Sequence, residues 1–250
     1  MSLLEVKGLV KRFGGLLATD NLSLTIQPGE LHAIIGPNGA GKTTLISQLS
    51  GTLRPAEGTI VLEGRDITRL PTHRRAALGL ARSYQITSVF TEFTVIENVM
   101  LAVQARSGSS FSFWANVHSD KALVEPARDV LRQVGLLHVA DVPVAQIAHG
   151  GRRQLEIAMS LAMAPRLLLL DEPMAGMSHS ESKEIVALLQ RLKGQYGILL
   201  VEHDMSAVFA LADRVTVLVY GKPIASGTPN EIRNDKAVRA AYLGDEEIAA

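Results

Sequence analysis

The chain has 250 residues, of which 47% are hydrophobic, so it is long enough to fold around a large core. Lysine plus arginine and aspartate plus glutamate each total 25, and this balance excludes the basic field that holds nucleic acid. The absence of cysteine excludes disulfides, thiol catalysis and cysteine-based zinc sites. Apolar runs stay far below the roughly 20 residues that span a bilayer, and the N-terminus lacks the order of a signal peptide. We therefore expect a cytosolic protein whose membrane role would require partner chains.

The first predicted elements are two antiparallel edge strands, residues 3–10 and 22–26, because apolar residues alternate or cluster there between turn signals. Phe13 lies between these strands. An aromatic at this place either stacks on an adenine ring, worth about 1–3 kcal/mol by analogy with base stacking, or packs in the core or a hairpin. The residues alone leave both interpretations open.

The most informative stretch joins a buried strand, residues 31–35, to a helix predicted at residues 42–49. The connection matches the phosphate-binding pattern G-x-x-x-x-G-K-[ST] at every fixed position. Its glycines let the backbone curl so that successive N–H groups face a phosphate chain at the positive end of the helix. The predicted nucleotide-binding residues are Gly36, Pro37, Asn38, Gly39, Ala40, Gly41, Lys42, Thr43 and Thr44. Lys42 would reach the β- and γ-phosphates, a charge contact worth roughly 4 kcal/mol before desolvation, and the Thr43 hydroxyl would bind Mg²⁺.

The middle of the chain is predicted to be mainly helical. A strand at residues 59–63, a short helix at 72–78 and a short strand ending at Gln85 come first. Thr94 and Glu97 form a capping box that opens a helix at residues 95–105. Further helices are predicted at residues 119–134, with a kink or restart at Pro126, and at residues 152–163.

The last part of the chain alternates very apolar strands with helices. Residues 167–170 and 198–201 suit parallel strands buried on both faces, and a capping box at residues 178–181 opens the helix between them. A short helix at 205–211, strands at 215–220 and 224–226 and two short helices complete the pattern. We predict an α/β fold: a P-loop NTPase core with a mostly parallel sheet and an antiparallel N-terminal β part, formed by residues 1–87 and 165–250. Residues 88–164 would form an inserted helical subdomain, giving a single domain over residues 1–250.

Three acidic or basic side chains follow the buried strands. Asp171 and Glu172 end one strand, and His203 follows the next. Because ligands gather at the carboxyl ends of parallel strands, we expect these residues to meet the phosphate-binding loop. Asp171 would then hold Mg²⁺ through water, and Glu172 would polarise an attacking water.

These residues together resemble the ATP-binding subunits of ABC transporters. The motifs occur in that family's order and spacing over essentially the whole chain: the P-loop, Gln85, residues 147–151, residues 167–172, the loop 174–178, and His203. The resemblance implies that Phe13 stacks on adenine, that Glu172 is the catalytic base and that His203 contacts the γ-phosphate. It implies that Gln85 joins Thr43 and Asp171 at Mg²⁺, takes part in catalysis and senses the membrane subunits. It also implies that two chains sandwich two ATP, with Ala148, His149, Gly150 and Gly151 binding the γ-phosphate held by the partner.

The match is closer to the longer ATPase of branched-chain amino acid importers, at residues 81–85, 93–99, 155–158 and 238–244. This resemblance implies transmembrane permease subunits, a periplasmic solute-binding protein and a place at the cytoplasmic side of the bacterial inner membrane. Importers of urea, amides or aromatic acids, and a soluble ABC ATPase, are alternatives. A GTP switch is disfavoured because no Asn-Lys-x-Asp motif follows the P-loop, and a non-catalytic module because Lys42, Glu172 and His203 are present.

The chain departs from the family pattern at two places. The usual Leu-Ser-Gly-Gly-Gln signature is Ile-Ala-His-Gly-Gly at residues 147–151, so Ala148 lacks the hydroxyl expected to meet phosphate. Ser178 replaces the usual aspartate of the loop after Glu172. We therefore expect a weakened signature and altered communication between the two nucleotide sites.

Overall fold

The computed structural model describes residues 1–83, 89–107 and 120–240. The strands in these ranges are β1 (Leu4–Phe13), β2 (Leu16–Ile26), β3 (Leu31–Ile35), β4 (Glu57–Leu62), β5 (Arg65–Asp66), β6 (Leu80–Arg82), β7 (Leu167–Asp171), β8 (Gly197–Val201), β9 (Arg214–Val219) and β10 (Lys222–Gly227). The helices are α1 (Lys42–Ser50), α2 (Thr72–Ala77), α3 (Val95–Ser107), α4 (Lys121–Val134), α5 (His149–Ala162), α6 (His179–Leu192), α7 (Met205–Leu211), α8 (Pro229–Asn234) and α9 (Lys236–Val238).

Strand β3, which precedes the glycine-rich loop, lies inside a six-stranded sheet with the order β10-β9-β3-β8-β7-β6. All neighbouring pairs from β9 to β6 are parallel, and only the β9–β10 pair at one edge is antiparallel. Every residue of β3, β7 and β8 is buried. Leu168 and Leu170 point into one hydrophobic core and Leu167 and Leu169 into the other, so the sheet is covered on both faces. This confirms the predicted α/β fold class and explains why these strands read as continuous apolar runs.

The N-terminal residues form a second, antiparallel sheet with the order β2-β1-β4-β5. The expectation of two edge strands was wrong for the first of them, because β1 pairs with β2 on one side and with β4 on the other. Both strands also extend further than predicted, and they meet at the turn of Gly14 and Gly15. The hairpin therefore carries Phe13 at the end of β1.

Helices α3, α4 and α5 pack against one another between β6 and β7 in the chain. The predicted capping box of α3 is confirmed: the Thr94 N–H donates to Glu97 Oε2 over 2.7 Å, and the Glu97 N–H donates to Thr94 Oγ1 over 3.3 Å. Of the predicted kink or restart at Pro126, the restart was wrong, since α4 continues through this residue. Four buried side chains, Leu123, Ala127, Leu131 and Val134, anchor this helix. Their burial offsets the roughly 3 kcal/mol that an interior proline costs.

Helix α5 begins at His149, three residues before the predicted start at Arg152. The residues His149, Gly150 and Gly151, expected to precede the helix, therefore form its first turn. Glycine disfavours a helix interior by about 1 kcal/mol, and that preference led to the late prediction. The helices of the described ranges include none long and apolar enough to cross a membrane.

Candidate functional site

The loop between β3 and α1 takes a backbone path that only glycine follows easily. Gly36, Gly39 and Gly41 have φ values of 154°, 80° and 102°. A Cβ atom on Gly36 would come 2.2 Å from the Leu218 carbonyl oxygen, and one on Gly41 would come 2.3 Å from the Ala18 carbonyl oxygen. The glycines of the pattern thus permit both the curl of the loop and its close packing against neighbouring backbone.

Lys42 lies at the start of α1, with its ammonium group turned back into the loop. Its Nζ donates to the carbonyl oxygens of Gly36 over 2.6 Å and of Pro37 over 3.1 Å. Only 6% of the residue is exposed. Burial lowers the pKa of this amine, and the negative charges of Glu172 and Asp171 oppose the shift. The ammonium is thus held by two carbonyls of the loop and lies in the field of two carboxylates, at a place where it can neutralise a phosphate chain.

A cleft of about 330 Å³ borders this loop. Its walls are Phe13, Leu16 and Ala18 from the β1–β2 hairpin, residues 38–44 of the loop and helix, and Glu172. Phe13 is 48% exposed, which rules out the core interpretation. Its ring lies on the β1–β2 hairpin at the mouth of the cleft, with Lys11 Nζ 5.5 Å from the ring centroid. Thr43 is exposed on the first turn of α1 and Thr44 is half-buried. The structure therefore brings the proposed adenine platform, the phosphate loop and the proposed base to one opening.

The acidic pair at the end of β7 occupies two different environments. Asp171 is 2% exposed and lies 3.3 Å from Nη2 of Arg82. Burial raises the pKa of its carboxyl, while the Arg82 charge lowers it. Glu172 is the next residue, with a positive φ of 49° and a side chain that is 20% exposed. A non-glycine residue in this region costs about 1–3 kcal/mol and is stable only when its surroundings hold it there.

Glu172 is paired with His203 from the end of β8. The distance from Glu172 Oε1 to His203 Nε2 is 2.6 Å. The Glu172 N–H also donates to the Val201 carbonyl over 2.9 Å, so both the side chain and the backbone are fixed to the neighbouring strand. This pair can orient and deprotonate a water molecule at the edge of the cleft.

The predicted metal ligands are only partly described by the structure. Thr43 and Asp171 lie at the ends of neighbouring elements of the site, whereas Gln85 falls outside the described residues. Within the described ranges no group of three or more histidine or acidic side chains forms a metal cluster. A hydroxyl and a single buried carboxylate fit Mg²⁺, which keeps several waters and takes its other ligands from phosphate.

The altered signature lies away from the P-loop cleft, and none of residues 147–151 lines it. Ala148 is the N-cap of α5 and supplies no side-chain hydrogen bond there. The Gly150 N–H donates instead to Oε1 of Glu181 over 3.0 Å. Glu181 also accepts from the Ser178 N–H as part of the confirmed capping box of α6. One carboxylate thus connects the signature to the loop after Glu172.

Two buried charged residues were not predicted, one at the end of α1 remote from the P-loop and one beside His203. Arg75 in α2 is 1% exposed and donates to four backbone carbonyls, including those of Gln48 and Leu49 at the end of α1. Burial lowers its pKa to about 10. Glu202 directly precedes His203 and is 3% exposed. Arg75 lies in a polar helical segment, and nothing in that sequence pattern indicates that it is buried. Glu202 could have been predicted, because it lies between a buried strand and His203.

The comparisons with known proteins now identify the family. The family model described as "ABC transporter" matches residues 19–175, which include the P-loop and the acidic pair. The chain belongs to the ABC transporter ATP-binding family. A second model, described as "Branched-chain amino acid ATP-binding cassette transporter", matches residues 222–248 of this ABC protein.

Two curated relatives extend over nearly the whole ABC chain. The high-affinity branched-chain amino acid transport ATP-binding protein LivG of Escherichia coli K12 is 41% identical over 251 residues, which cover 97% of this chain and 98% of LivG. The corresponding protein BraF of Pseudomonas aeruginosa is 38% identical over 250 residues, with the same coverage. Among solved structures, the ADP conformation of MJ1267, an ATP-binding cassette of an ABC transporter, is 28% identical with a TM-score of 0.86, covering 98% of this chain and all of that one.

Proposed function

We propose that this chain is the ATP-hydrolysing subunit of an ABC importer for branched-chain amino acids. The observation that carries the proposal is the Glu172–His203 pair at the cleft that also contains Lys42 and Phe13. The near-full-length similarity to LivG and BraF, whose names state branched-chain amino acid transport, supports the choice of solute.

The proposed chemistry assigns each predicted site residue a task. Phe13 stacks on adenine, while the loop amides and Lys42 neutralise the phosphate charge. Thr43, Asp171 and Gln85 would hold Mg²⁺, which supplies further neutralisation of the γ-phosphate and of the leaving ADP. Glu172 accepts the proton of the attacking water, and His203 holds the Glu172 carboxylate and contacts the γ-phosphate. A general base of this kind contributes about 10²- to 10⁴-fold to the rate.

The proposed assembly contains two ATPase chains, identical or paralogous, on transmembrane permease subunits at the cytoplasmic side of the inner membrane. A periplasmic solute-binding protein would deliver the amino acid. Residues 88–164 form the proposed helical subdomain, and Ala148, His149, Gly150 and Gly151 would face the nucleotide of the partner chain. The location of these residues outside the P-loop cleft supports that assignment.

Uptake by whole cells tests the proposed solute. A strain in which this gene is deleted should lose uptake of labelled leucine, isoleucine and valine, and the unaltered gene should restore it. A gene encoding Lys42→Ala should fail to restore it, whereas Lys7→Ala, a change at a residue whose side chain is 72% exposed and lies outside the cleft, should succeed. Loss of urea, amide or aromatic acid uptake instead would assign the chain to a related importer. Unchanged uptake of every solute, with ATPase activity intact, would indicate a soluble ABC ATPase.

A further inference from the structure

Glu202 is a buried acid between the two chain segments that carry the proposed catalytic pair. Its carboxylate accepts hydrogen bonds from both sides: Oε1 from the Met174 N–H over 2.9 Å and Oε2 from the His203 N–H over 3.0 Å. With 3% of the residue exposed, water competes little for these donors.

The partners of Glu202 are backbone N–H groups rather than a cation. Burying a carboxyl group costs several kcal/mol unless it is well hydrogen-bonded. The Met174 and His203 N–H groups therefore stabilise the buried Glu202 carboxylate, and the carboxylate in turn fixes the backbone at these two residues. Burial raises its pKa, as does the nearby charge of Glu172, while the N–H donors lower it. The proposed hydrolysis does not use this group directly, because the attacking water is assigned to Glu172.

The positions of the donors give the carboxylate a geometric role. Met174 lies two residues after Glu172, and His203 follows Glu202 in the chain. The side chains of Glu172 and His203 meet at 2.6 Å. Together with the two hydrogen bonds of Glu202, this contact closes a ring that joins the Glu202 carboxylate, the two backbone segments and the Glu172–His203 pair. Glu172 also holds a positive φ that its surroundings must maintain. The Glu202 side chain therefore joins the backbone segment after Glu172 to the backbone of His203.

We propose that Glu202 is a positioning residue that holds Glu172 and His203 at the separation needed to activate water. The inference rests on the proposed function and deepens it. Since a misplacement of about 1 Å at a catalytic group costs on the order of 10²-fold in rate, loosening this ring should lower turnover without weakening nucleotide binding.

Glu202→Gln tests the proposal because its shape is retained. The amide presents an NH₂ group to one of the two N–H donors, so one hydrogen bond is lost and two donors face each other. We expect kcat for ATP to fall about 10- to 100-fold, with KM and fluorescent-nucleotide affinity within about twofold of the parent. Rates are normalised to the fraction of protein that binds nucleotide, which removes the effect of misfolded chains.

Glu30→Gln is the matched control. Glu30 is also largely buried, with a side chain 10% exposed, and accepts from the Gln27 N–H over 2.6 Å, but it precedes the amino end of β3, opposite to the site. We expect this variant to lose stability and keep its normalised kcat. Should Glu202→Gln fail to fold, Glu202→Asp takes its place, because its shorter side chain keeps the charge yet reaches only one of the two loops.

A variant that combines Glu202→Gln with His203→Ala shows whether Glu202 acts through the Glu172–His203 pair or affects turnover independently. If Glu202 acts through the pair, adding Glu202→Gln to His203→Ala should change kcat by less than about threefold. A normalised kcat within twofold of the parent for Glu202→Gln, or an undiminished additional loss in the His203→Ala background, would overturn the inference. If the parent protein itself does not hydrolyse ATP, the proposed function fails; if the parent is active and Glu202→Gln equals it, only the role of Glu202 fails.

Discussion

Replacing Arg75 by alanine should strongly destabilise the nucleotide-binding core, although Arg75 contacts no proposed nucleotide ligand. Its guanidinium donates to the carbonyls of Gln48 and Leu49 over 2.7 and 2.6 Å. These carbonyls belong to the last turn of α1, the helix that begins at the P-loop. The guanidinium also donates to the carbonyls of Leu70 and Thr68, both over 2.9 Å. One side chain therefore fixes α1 to the segment that precedes α2.

The size of the effect follows from the number and burial of these bonds. Hydrogen bonds to charged groups contribute about 1.5–3 kcal/mol each, but the cost of burying the guanidinium offsets much of their sum. Removing one member of a buried polar network typically costs about 3–5 kcal/mol. For a chain of this size we expect Arg75→Ala to lower the melting temperature by roughly 6–20 °C. Arg75→Lys should recover only part of the loss, since an ammonium group lacks the fork of donors.

Chemical unfolding with and without nucleotide measures this prediction. Arg74→Ala is the control, because Arg74 is the preceding residue of α2 and its side chain is exposed. We expect the control to stay within about 0.5 kcal/mol of the parent. A loss below about 1 kcal/mol for Arg75→Ala would refute the reasoning that the four carbonyls depend on this guanidinium.

Three further changes probe the site. Lys42→Ala should weaken nucleotide binding about 10- to 100-fold in a fluorescent titration while the melting curve still shows a folded protein, and unaltered affinity would contradict the P-loop assignment. Gly41→Ala should abolish high-affinity binding and destabilise the fold by about 1–3 kcal/mol in a denaturant titration, because its Cβ would meet the Ala18 carbonyl at 2.3 Å; wild-type stability would show that the loop adapts. Ala148→Ser should raise ATP turnover of the two-chain assembly by up to about tenfold, and an unchanged rate would indicate that backbone N–H groups bind the phosphate sufficiently.

The parts of the fold that follow local rules were predictable from the residues. The four-leucine run of β7 and the capping box at Thr94 and Glu97 have short-range physical causes, and both occur where expected. The convergence of Glu172 and His203 followed from the rule that parallel strands end at the same edge of a sheet. Their direct contact at 2.6 Å did not follow from it, because it depends on the positive φ of Glu172.

The mispredicted parts depend on tertiary partners. The glycines at the start of α5 disfavour helix, yet Glu181 from another helix accepts from the Gly150 N–H and supports the first turn. Pro126 lies within a helix because the buried face of α4 anchors it. Arg75 belongs to a polar helical segment whose burial is decided by carbonyls 26 and 27 residues away in the chain. Such long-range contacts leave no periodic pattern around the residue itself.

The most direct test of the account is ATP turnover by the Glu172→Gln variant beside the parent protein. The parent should hydrolyse ATP, and the variant should bind ATP with similar affinity while its turnover falls at least about 10²-fold, because the amide keeps the shape of the side chain but cannot accept the proton of water. The measurement combines a phosphate-release assay with nucleotide titration on the same preparation. Turnover of the variant within a few-fold of the parent would contradict the assignment of Glu172 as the base and the site built around it.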